Sequence, residues 1–335
     1  MGDFPPRAAR GGKSPKKLLH THLVLIKLFD MERSQPDLSV IIVTYNVRDL
    51  TLACLRSLYR DGSMTRFNIE VLVVDNASAD NTVTAIETEF PHVCVIKNAK
   101  NLGFALGNNV GLAIAQGRYL FLLNSDTEVN DGALGALIEF MDANAEAGAG
   151  CPMLLNPDGS LQPTGRPLPS LWSVFVGMTK LYRLWKKDFY LQPGRDYNKV
   201  TCVGEVSGAA MLVRKSVYDQ TGGFDPKLFI YYEDVDWCKR IHDLGFKVFY
   251  IPQARVMHIW QRITKVLPER TYRASQDSLR YYFYKHHGPV AHSLIQALLF
   301  AKEMLLLVVS ALKQDKTLRQ LHRHMLSNVF SPLPK

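Results

Sequence analysis

A chain of 335 residues, 47% of them apolar, can bury one large core or two modest ones. Its formal net charge of +9 asks for a polyanionic neighbour, but the basic residues are spread along the chain and no nucleic-acid motif appears, which leaves a nucleotide or an anionic membrane. Five scattered cysteines with no CxxC pair argue against a zinc site or a disulfide framework and fit a reducing compartment.

Residues 1–36 read as a basic, disordered tail, with Arg, Lys, Pro and Gly recurring through Lys17. Leu18 to Phe29 is interrupted by His20, His22 and Lys27 and has no small-residue cleavage site after it, so no secretory signal is expected. Met31 is a second candidate start.

After Pro36 the pattern becomes regular. Leu38–Val43 is a buried strand ending in Thr44-Tyr45-Asn46, and a helical period follows through Leu50, Cys54, Leu55 and Leu58 to Asp61-Gly62. A second strand, Ile69–Val74, ends in Asp75-Asn76-Ala77-Ser78, with Ser78 or Asp80 as cap of a helix that stops before Pro91. Val93–Ile96 is the third strand. Asn101-Leu102-Gly103-Phe104 and Gly107-Asn108-Asn109 then lead into an Ala-rich helix. The fourth strand, around Leu120–Leu123, breaks off at Asn124-Ser125-Asp126-Thr127.

Strands alternating with helices predict a doubly wound, mostly parallel sheet. Polar residues at the strand ends, Asn46, Asp75 and Asp126, mark the edge where such sheets bind ligands. Neither a GxGxxG nor a GxxxxGK[ST] loop is present, so a phosphate-bearing ligand needs a metal instead. Asp126 is placed for that duty, since hard cations take carboxylates and substrate phosphates, although an Asp after a strand also serves as a turn or cap residue.

Further on, a helix runs from Asp131 to about Asn144, and Asn156-Pro157-Asp158-Gly159 makes a hairpin turn. Pro163 to Lys199 is irregular, with Trp172, Phe175, Tyr182, Trp185, Phe189 and Tyr190 either packed into an insertion or forming a wall over the site. Ser207-Gly208-Ala209-Ala210 permits close backbone approach to a ligand. In Tyr231-Tyr232-Glu233-Asp234-Val235-Asp236, three carboxylates crowd a helix start; they either complement its dipole or, partly desolvated by the aromatic residues, supply a general base. Lys247–Ile251 is another strand, with His258 beyond it.

These segments resemble the inverting family-2 glycosyltransferases of GT-A fold and, within them, the bacterial rhamnosyltransferase-like branch. The resemblance rests on Val43-Thr44-Tyr45-Asn46, Val74-Asp75-Asn76-Ala77-Ser78, Asn101-Leu102-Gly103-Phe104 through Asn109, Leu123-Asn124-Ser125-Asp126, Ser207-Gly208-Ala209-Ala210, Tyr232-Glu233-Asp234-Val235-Asp236 and the late His258. It implies a mostly parallel central sheet flanked by helices in a domain over 37–260, with a helical, basic and amphipathic extension over 261–335. It also implies that Asp75 contacts the nucleotide base, and that Asn101, Gly103 and Asn108 line the nucleotide-sugar pocket. Thr44, Tyr45, Asn46, Asn76, Phe104, Asn124, Ser125, Gly208 and Asp236 join the substrate site. Asp126 becomes a ligand to Mg²⁺ or Mn²⁺, with His258 a second ligand and Asn124 standing where the family's first metal-motif Asp would be. Asp234 becomes the general base, with Glu233 beside it. Ile259-Trp260-Gln261-Arg262 departs from the glycines and serine that often follow the family's histidine, which bears on the acceptor-side loop.

The implied activity is transfer of a sugar, rhamnose from dTDP-rhamnose in the first instance and a UDP-hexose or UDP-galactofuranose otherwise, onto a cell-surface glycan or lipid-linked acceptor. A catalytically silent sugar-nucleotide binder is the competing reading, which the carboxylates at Asp126 and Asp234 oppose. In the extension, Leu294, Leu298, Ala301, Leu305, Val308 and Leu312 share one helical face and His292, Gln296, Glu303, Ser310 and Gln314 the other. Lys302-Glu303 in mid-run speaks against a spanning helix, leaving an interfacial helix on the inner face of the cell membrane or a core helix.

Overall fold

The apolar runs at Leu38 and Leu120 become neighbouring central strands, buried along nearly their whole length. In this computed structural model, residues 35–179, 195–259 and 268–333 are described. The basic tail with Met31, the aromatic residues Tyr182, Trp185, Phe189 and Tyr190, and Trp260-Gln261-Arg262 lie outside the described residues.

Four parallel strands form one half of the sheet in the order β3 (Cys94–Lys97), β2 (Ile69–Asp75), β1 (Leu38–Thr44), β4 (Tyr119–Asn124). The β1–β2 register pairs Thr44 with Asp75 and the β1–β4 register pairs Val43 with Asn124, so the three polar strand ends finish at one edge. Beyond β4 the sheet becomes mixed. β9 (Ala210–Arg214) runs antiparallel between β4 and β6 (Ala147–Leu155), and β10 (Lys247–His258) runs parallel to β6. At its far end β10 pairs antiparallel with β5 (Thr127–Val129), setting His258 opposite Thr127.

Helices α1 (Arg48–Arg60), α2 (Ser63–Arg66), α3 (Thr82–Glu89), α4 (Gly103–Leu112) and α5 (Ala133–Ala143) accompany the first strands. One apolar cluster packs α1 and α5 against the sheet, and a second holds Leu112, Leu120, Met211, Trp237 and Ile241. α4 lies unusually close to β1: a side chain at Gly111 would begin 2.5 Å from Ile41 Cγ2, so only glycine fits. The hairpin turn closes with the Gly159 N–H donating to the Asn156 carbonyl (2.9 Å), joining β6 to the short β7 (Leu161–Gln162). α6 (Leu171–Thr179) and β8 (Thr201–Val203) flank the residues that are not described, and α7 (Lys215–Thr221) follows β9.

The carboxylate-rich stretch is α8 (Glu233–Asp243), entered through Tyr231 and Tyr232, both left-handed at φ 63° and 67°. Two consecutive bulky residues in that region store strain beside the carboxylates. α9 (Pro268–Leu312) reverses at Gly288-Pro289, where Gly288 takes φ 79° and Pro289 removes a helical N–H. Its two arms then pack together, joined by α10 (Lys316–Asn328). By length and composition α9 could cross a membrane.

The orientation of the second arm inverts the usual arrangement. Leu305, Val308 and Leu312 are 64%, 51% and 79% exposed, whereas Glu303 is fully buried. Tyr272 (2.5 Å) and Gln276 (2.8 Å) donate to Glu303, and His322 Nδ1 lies 2.7 Å from its other oxygen. The polar side faces the protein and the wide apolar face points out.

Candidate active site

The β1, β2 and β4 ends build the first wall of the crevice. Asp75 is buried; its Oδ2 accepts the Ser78 N–H (3.0 Å), while Oδ1 meets no partner among the described residues. Asn76 donates to the Gly103 carbonyl (3.0 Å) and accepts from Asn98 (2.9 Å), fastening β2 to the α4 loop. Asn101 Oδ1 accepts the Gly103 N–H (2.8 Å) and shapes the same loop, and Asn108 donates to the Phe104 carbonyl (3.0 Å). Tyr45 is half exposed at the rim, and Asn46 accepts the Ala79 N–H while its own N–H donates to Ser78 Oγ. Ser78 is thereby spent on the loop; Asp80 accepts the Thr82 N–H (3.2 Å) at the helix start.

Thr44 differs from the expectation. It is buried and its hydroxyl is hydrogen-bonded to Thr51 (2.7 Å), so it secures the strand end instead of facing a ligand.

The second wall is the turn after β4. Asp126 Oδ1 and His258 Nε2 lie 3.3 Å apart, with Asn124 Nδ2 3.4 Å from the same nitrogen and Ser125 between. His258 Nδ1 is 2.7 Å from Gln162 Oε1. An amide oxygen only accepts, so Nδ1 carries a proton and donates to it, which fixes Nε2 as the nitrogen turned toward Asp126. A carboxylate oxygen and an imidazole lone pair at this separation suit a divalent cation, with Gln162 fixing the ring as outer-shell partners do. Among the described residues no cluster of three or more His, Cys, Asp or Glu converges, so the chain offers this pair and a bound diphosphate would complete the shell.

The third wall is the start of α8. The Gly208 N–H donates to Asp234 Oδ2 (2.9 Å) and the Val235 N–H to Oδ1 (2.8 Å). Phe104 packs over Gly208 and tilts against Phe224, closing the crevice between α4 and α8. Glu233 is buried, and its Oε2 has no partner among the described residues. Burial and the adjacent Asp234 charge push the Glu233 carboxyl well above the usual range. Burial also raises Asp234, against the opposing pull of the Gly208 N–H, Arg166 and the Val235 N–H. The two adjacent carboxyls thus have unequal support: both are raised, and Asp234, with two N–H donors and Arg166 favouring its charge, is the more readily ionised.

Asp236 is a correction. The sequence placed it in the substrate site, but it is fully buried and turned toward α9. Arg240 donates to Oδ2 (2.8 Å), and Lys285 Nζ and His286 Nε2 both lie 2.7 Å from Oδ1. Burial opposes its charge, yet His286, Arg240 and Lys285 outweigh that and hold the carboxyl down at about 2. The pairing with Arg240 one turn along follows from helical spacing.

Three contributors escaped the sequence. Gln162 orients His258 from a two-residue strand, and Arg166 and Glu205 sit behind Asp234. Burial raises the Glu205 carboxyl to about 7 against the pull of Arg166. All three lie far along the chain from the groups they serve, and no local pattern marks them.

Known proteins share this architecture. A mannosyltransferase of Pyrobaculum calidifontis, solved with GDP-Man and Mn²⁺, superposes over 93% of this chain and 94% of its own at a TM-score of 0.53 and 17% identity. A GalNAc-T7 structure with UDP, GalNAc and Mn²⁺ matches over 75% of this chain and half of its own, also at a TM-score of 0.53, with 16% identity. An N-acetylglucosaminyl-diphospho-decaprenol L-rhamnosyltransferase of Mycobacterium tuberculosis is 32% identical over 238 residues, covering 66% of this chain and 75% of that protein. The model of glycosyl transferase family 2 matches residues 39–221, and the chain belongs to that family as a GT-A-fold glycosyltransferase.

Proposed function

We propose that the protein is a metal-dependent inverting glycosyltransferase that moves a sugar, rhamnose from dTDP-rhamnose in the leading case, onto a lipid-linked glycan acceptor. The observation that carries the mechanism is the crevice itself, with the Asp126–His258 pair on one wall and the Asp234 carboxylate, held by the Gly208 N–H, on another. Asp75, with one oxygen unpartnered among the described residues, would receive a donor N–H of the nucleotide base. The Asn76, Asn101 and Asn108 bonds hold the loop against which the nucleotide sugar would lie.

In a single displacement the acceptor hydroxyl attacks the anomeric carbon from the face opposite the nucleotide, and the C–O bond to the diphosphate breaks with its electrons on the leaving oxygen. Asp234 takes the hydroxyl proton, because a sugar hydroxyl is hardly acidic at neutral pH. Asp126 and His258 would hold Mg²⁺ or Mn²⁺, which supplies charge neutralisation for the departing diphosphate. Burial and the Asp234 charge push the neighbouring Glu233 carboxyl up, which disfavours a second negative charge beside Asp234.

The rhamnose and lipid-diphosphate assignments draw on the mycobacterial relative, whose name carries both. Other relatives point to alternatives, including a hexosyltransferase of Haloferax volcanii and a UDP-Glc-dependent glucosyltransferase of Escherichia coli, so a UDP-hexose is the second donor. A cytoplasmic location, peripheral at the inner face of the membrane, would bring the exposed apolar arm of α9 and the basic α10 to a lipid acceptor.

The test is a thermal-shift screen of dTDP-rhamnose, UDP-glucose and UDP-galactofuranose with and without Mn²⁺, followed by transfer assays on Asp234→Asn. The preferred donor stabilises by mass action. Asp234→Asn keeps the shape, so donor binding should persist while turnover falls at least about a hundredfold. Near-parental turnover in Asp234→Asn with a dead Glu233→Gln would move the base to Glu233. Two active variants would refute the catalytic assignment of α8.

A further inference from the structure

We infer that a cationic hollow between the Phe229 loop and the first turns of α9 binds the phosphate groups of the lipid-linked acceptor. This rests on the lipid-linked reading above and assigns that acceptor a site. The hollow has a volume of about 340 Å³, and Lys227, Phe229, Arg270, Arg273, Asp277 and Ser278 contribute to its lining. Its one carboxylate is already engaged: Asp277 accepts from Arg280 (2.7 Å) and Asn328 (2.9 Å), with Arg273 at 3.8 Å. The Lys227 backbone N–H donates to Asp225 (3.0 Å), but the side-chain charges of Lys227 and Arg270 pair with no carboxylate among the described residues.

Both lie over aromatic faces, Arg270 at 5.1 Å from the Phe229 ring centre and Lys227 at 5.7 Å from that of Tyr281. A ring face steadies a cation without using its N–H groups, leaving them for an anionic oxygen. Arginines in such a setting match phosphate geometry in pairs of hydrogen bonds.

The location ties the hollow to the reaction. Phe229 reaches 3.2 Å from where a side chain on Gly103 would begin, so one ring separates the hollow from the donor loop. The chain then runs directly through Ile230, whose carbonyl accepts from Ser278 (3.0 Å), to Glu233 and Asp234. An acceptor anchored here by its phosphates presents its sugar toward Asp234.

The lipid follows from α9. Glu303 of the second arm is bonded to Tyr272 and Gln276 on the first, which sets Met304 and Leu305 level with the turn carrying Arg273. Those two are 40% and 64% exposed, and Val308 and Leu312 continue the apolar row. An anionic head with an apolar tail finds both complements on one helical hairpin.

The experiment is flotation of the full-length protein with phosphatidylcholine vesicles, either plain, doped with polyprenyl diphosphate, or carrying phosphatidylglycerol at matched charge. The parent should float best with polyprenyl diphosphate. Arg270→Gln/Arg273→Gln should lose that preference by about tenfold or more, the usual strength of charge-assisted hydrogen bonds. Both residues are exposed, and the variant's nucleotide-dependent thermal shift should match the parent's. An unchanged preference in the variant overturns the proposal, as does equal flotation with phosphatidylglycerol, which would indicate surface charge alone. Pyrophosphate competing as well as the lipid would overturn the role of the apolar row. A parent with no nucleotide shift would instead refute the donor reading, so the two failures are distinct.

Discussion

Replacing Asp236 with Asn separates the structural reading of that carboxylate from a catalytic one. Its oxygens take Arg240 at 2.8 Å and Lys285 and His286 at 2.7 Å, with no exposed surface. These partners hold the carboxyl at about 2 against an ordinary 3.8, and at 1.36 kcal/mol per pKa unit the ionised form gains roughly 2 kcal/mol. Asn retains one acceptor but no charge. Lys285 keeps Asp225 (2.7 Å) and Arg240 keeps the Thr221 and Gly223 carbonyls (2.6 Å each), so the loss should sit near the low end for a broken buried pair, about 3 kcal/mol. In urea at pH 7 the midpoint should fall with the slope unchanged, and Tm should drop roughly 5–10 °C. The carboxyl is depressed, so its stabilisation is present above about pH 4 and is lost as pH falls through about 2. The gap between parent and variant should therefore close on acidification. A variant as stable as the parent but inactive would refute this reasoning and return Asp236 to the chemistry.

Three further outcomes can be checked on the same preparations. Asp126→Ala should abolish the Mn²⁺-dependent part of the donor thermal shift while the unliganded Tm stays close to the parent's, since among the described residues the carboxylate pairs only with His258; an intact metal effect would remove Asp126 as a ligand. Gln162→Leu removes the acceptor that fixes the His258 tautomer, and Mn²⁺ affinity read from donor-bound protein should weaken by about tenfold; unchanged affinity would make Gln162 a packing residue. Glu303→Gln leaves Tyr272, Gln276 and His322 bonded to a neutral amide in a buried site, and should cost about 2 kcal/mol and speed proteolysis at the Gly288 reversal; equal proteolysis would mean that apolar packing alone holds the arms together.

The strand-end wall of the crevice was legible in the sequence because each strand end carries its own signal. An apolar run of strand length fixes β1, β2 and β4, and parallel pairing then forces Asn46, Asp75 and Asp126 to one edge. The desolvation of Asp234 was legible for a related reason, since a carboxylate cluster at a helix start after aromatic residues already implies it. The resemblance put Asp236 in the substrate site, whereas its helical spacing points it at Arg240, the pair the structure has; spacing does not give what else lies there. Its cations, Lys285 and His286, belong to a helix whose docking no local pattern encodes. Gln162 escaped for the same reason, as its partner His258 reaches it through the pairing of β10.

The α9 hairpin shows where this limit has consequences for function. Periodicity divided its second arm into an apolar and a polar face, and for a soluble helix the apolar face would be the inward one. The structure buries a narrower stripe, Ala291, Ile295 and Leu299, and turns Glu303 and Ser310 inward with it. Burying Glu303 is tolerable only because Tyr272, Gln276, His322 and Lys302 surround it. Three of those four come from other segments, the first arm and α10. A sequence window over the arm alone cannot contain the reason its polar face is inside. That network frees Leu305, Val308 and Leu312 to remain outside, on the same hairpin as a hollow where the Lys227 and Arg270 side chains pair with no carboxylate among the described residues. A fold that needed the apolar row for its own core would have used it there. Its exposure is therefore a cost in water that a lipid surface would remove, at roughly 25 cal/mol per Å² of apolar area covered.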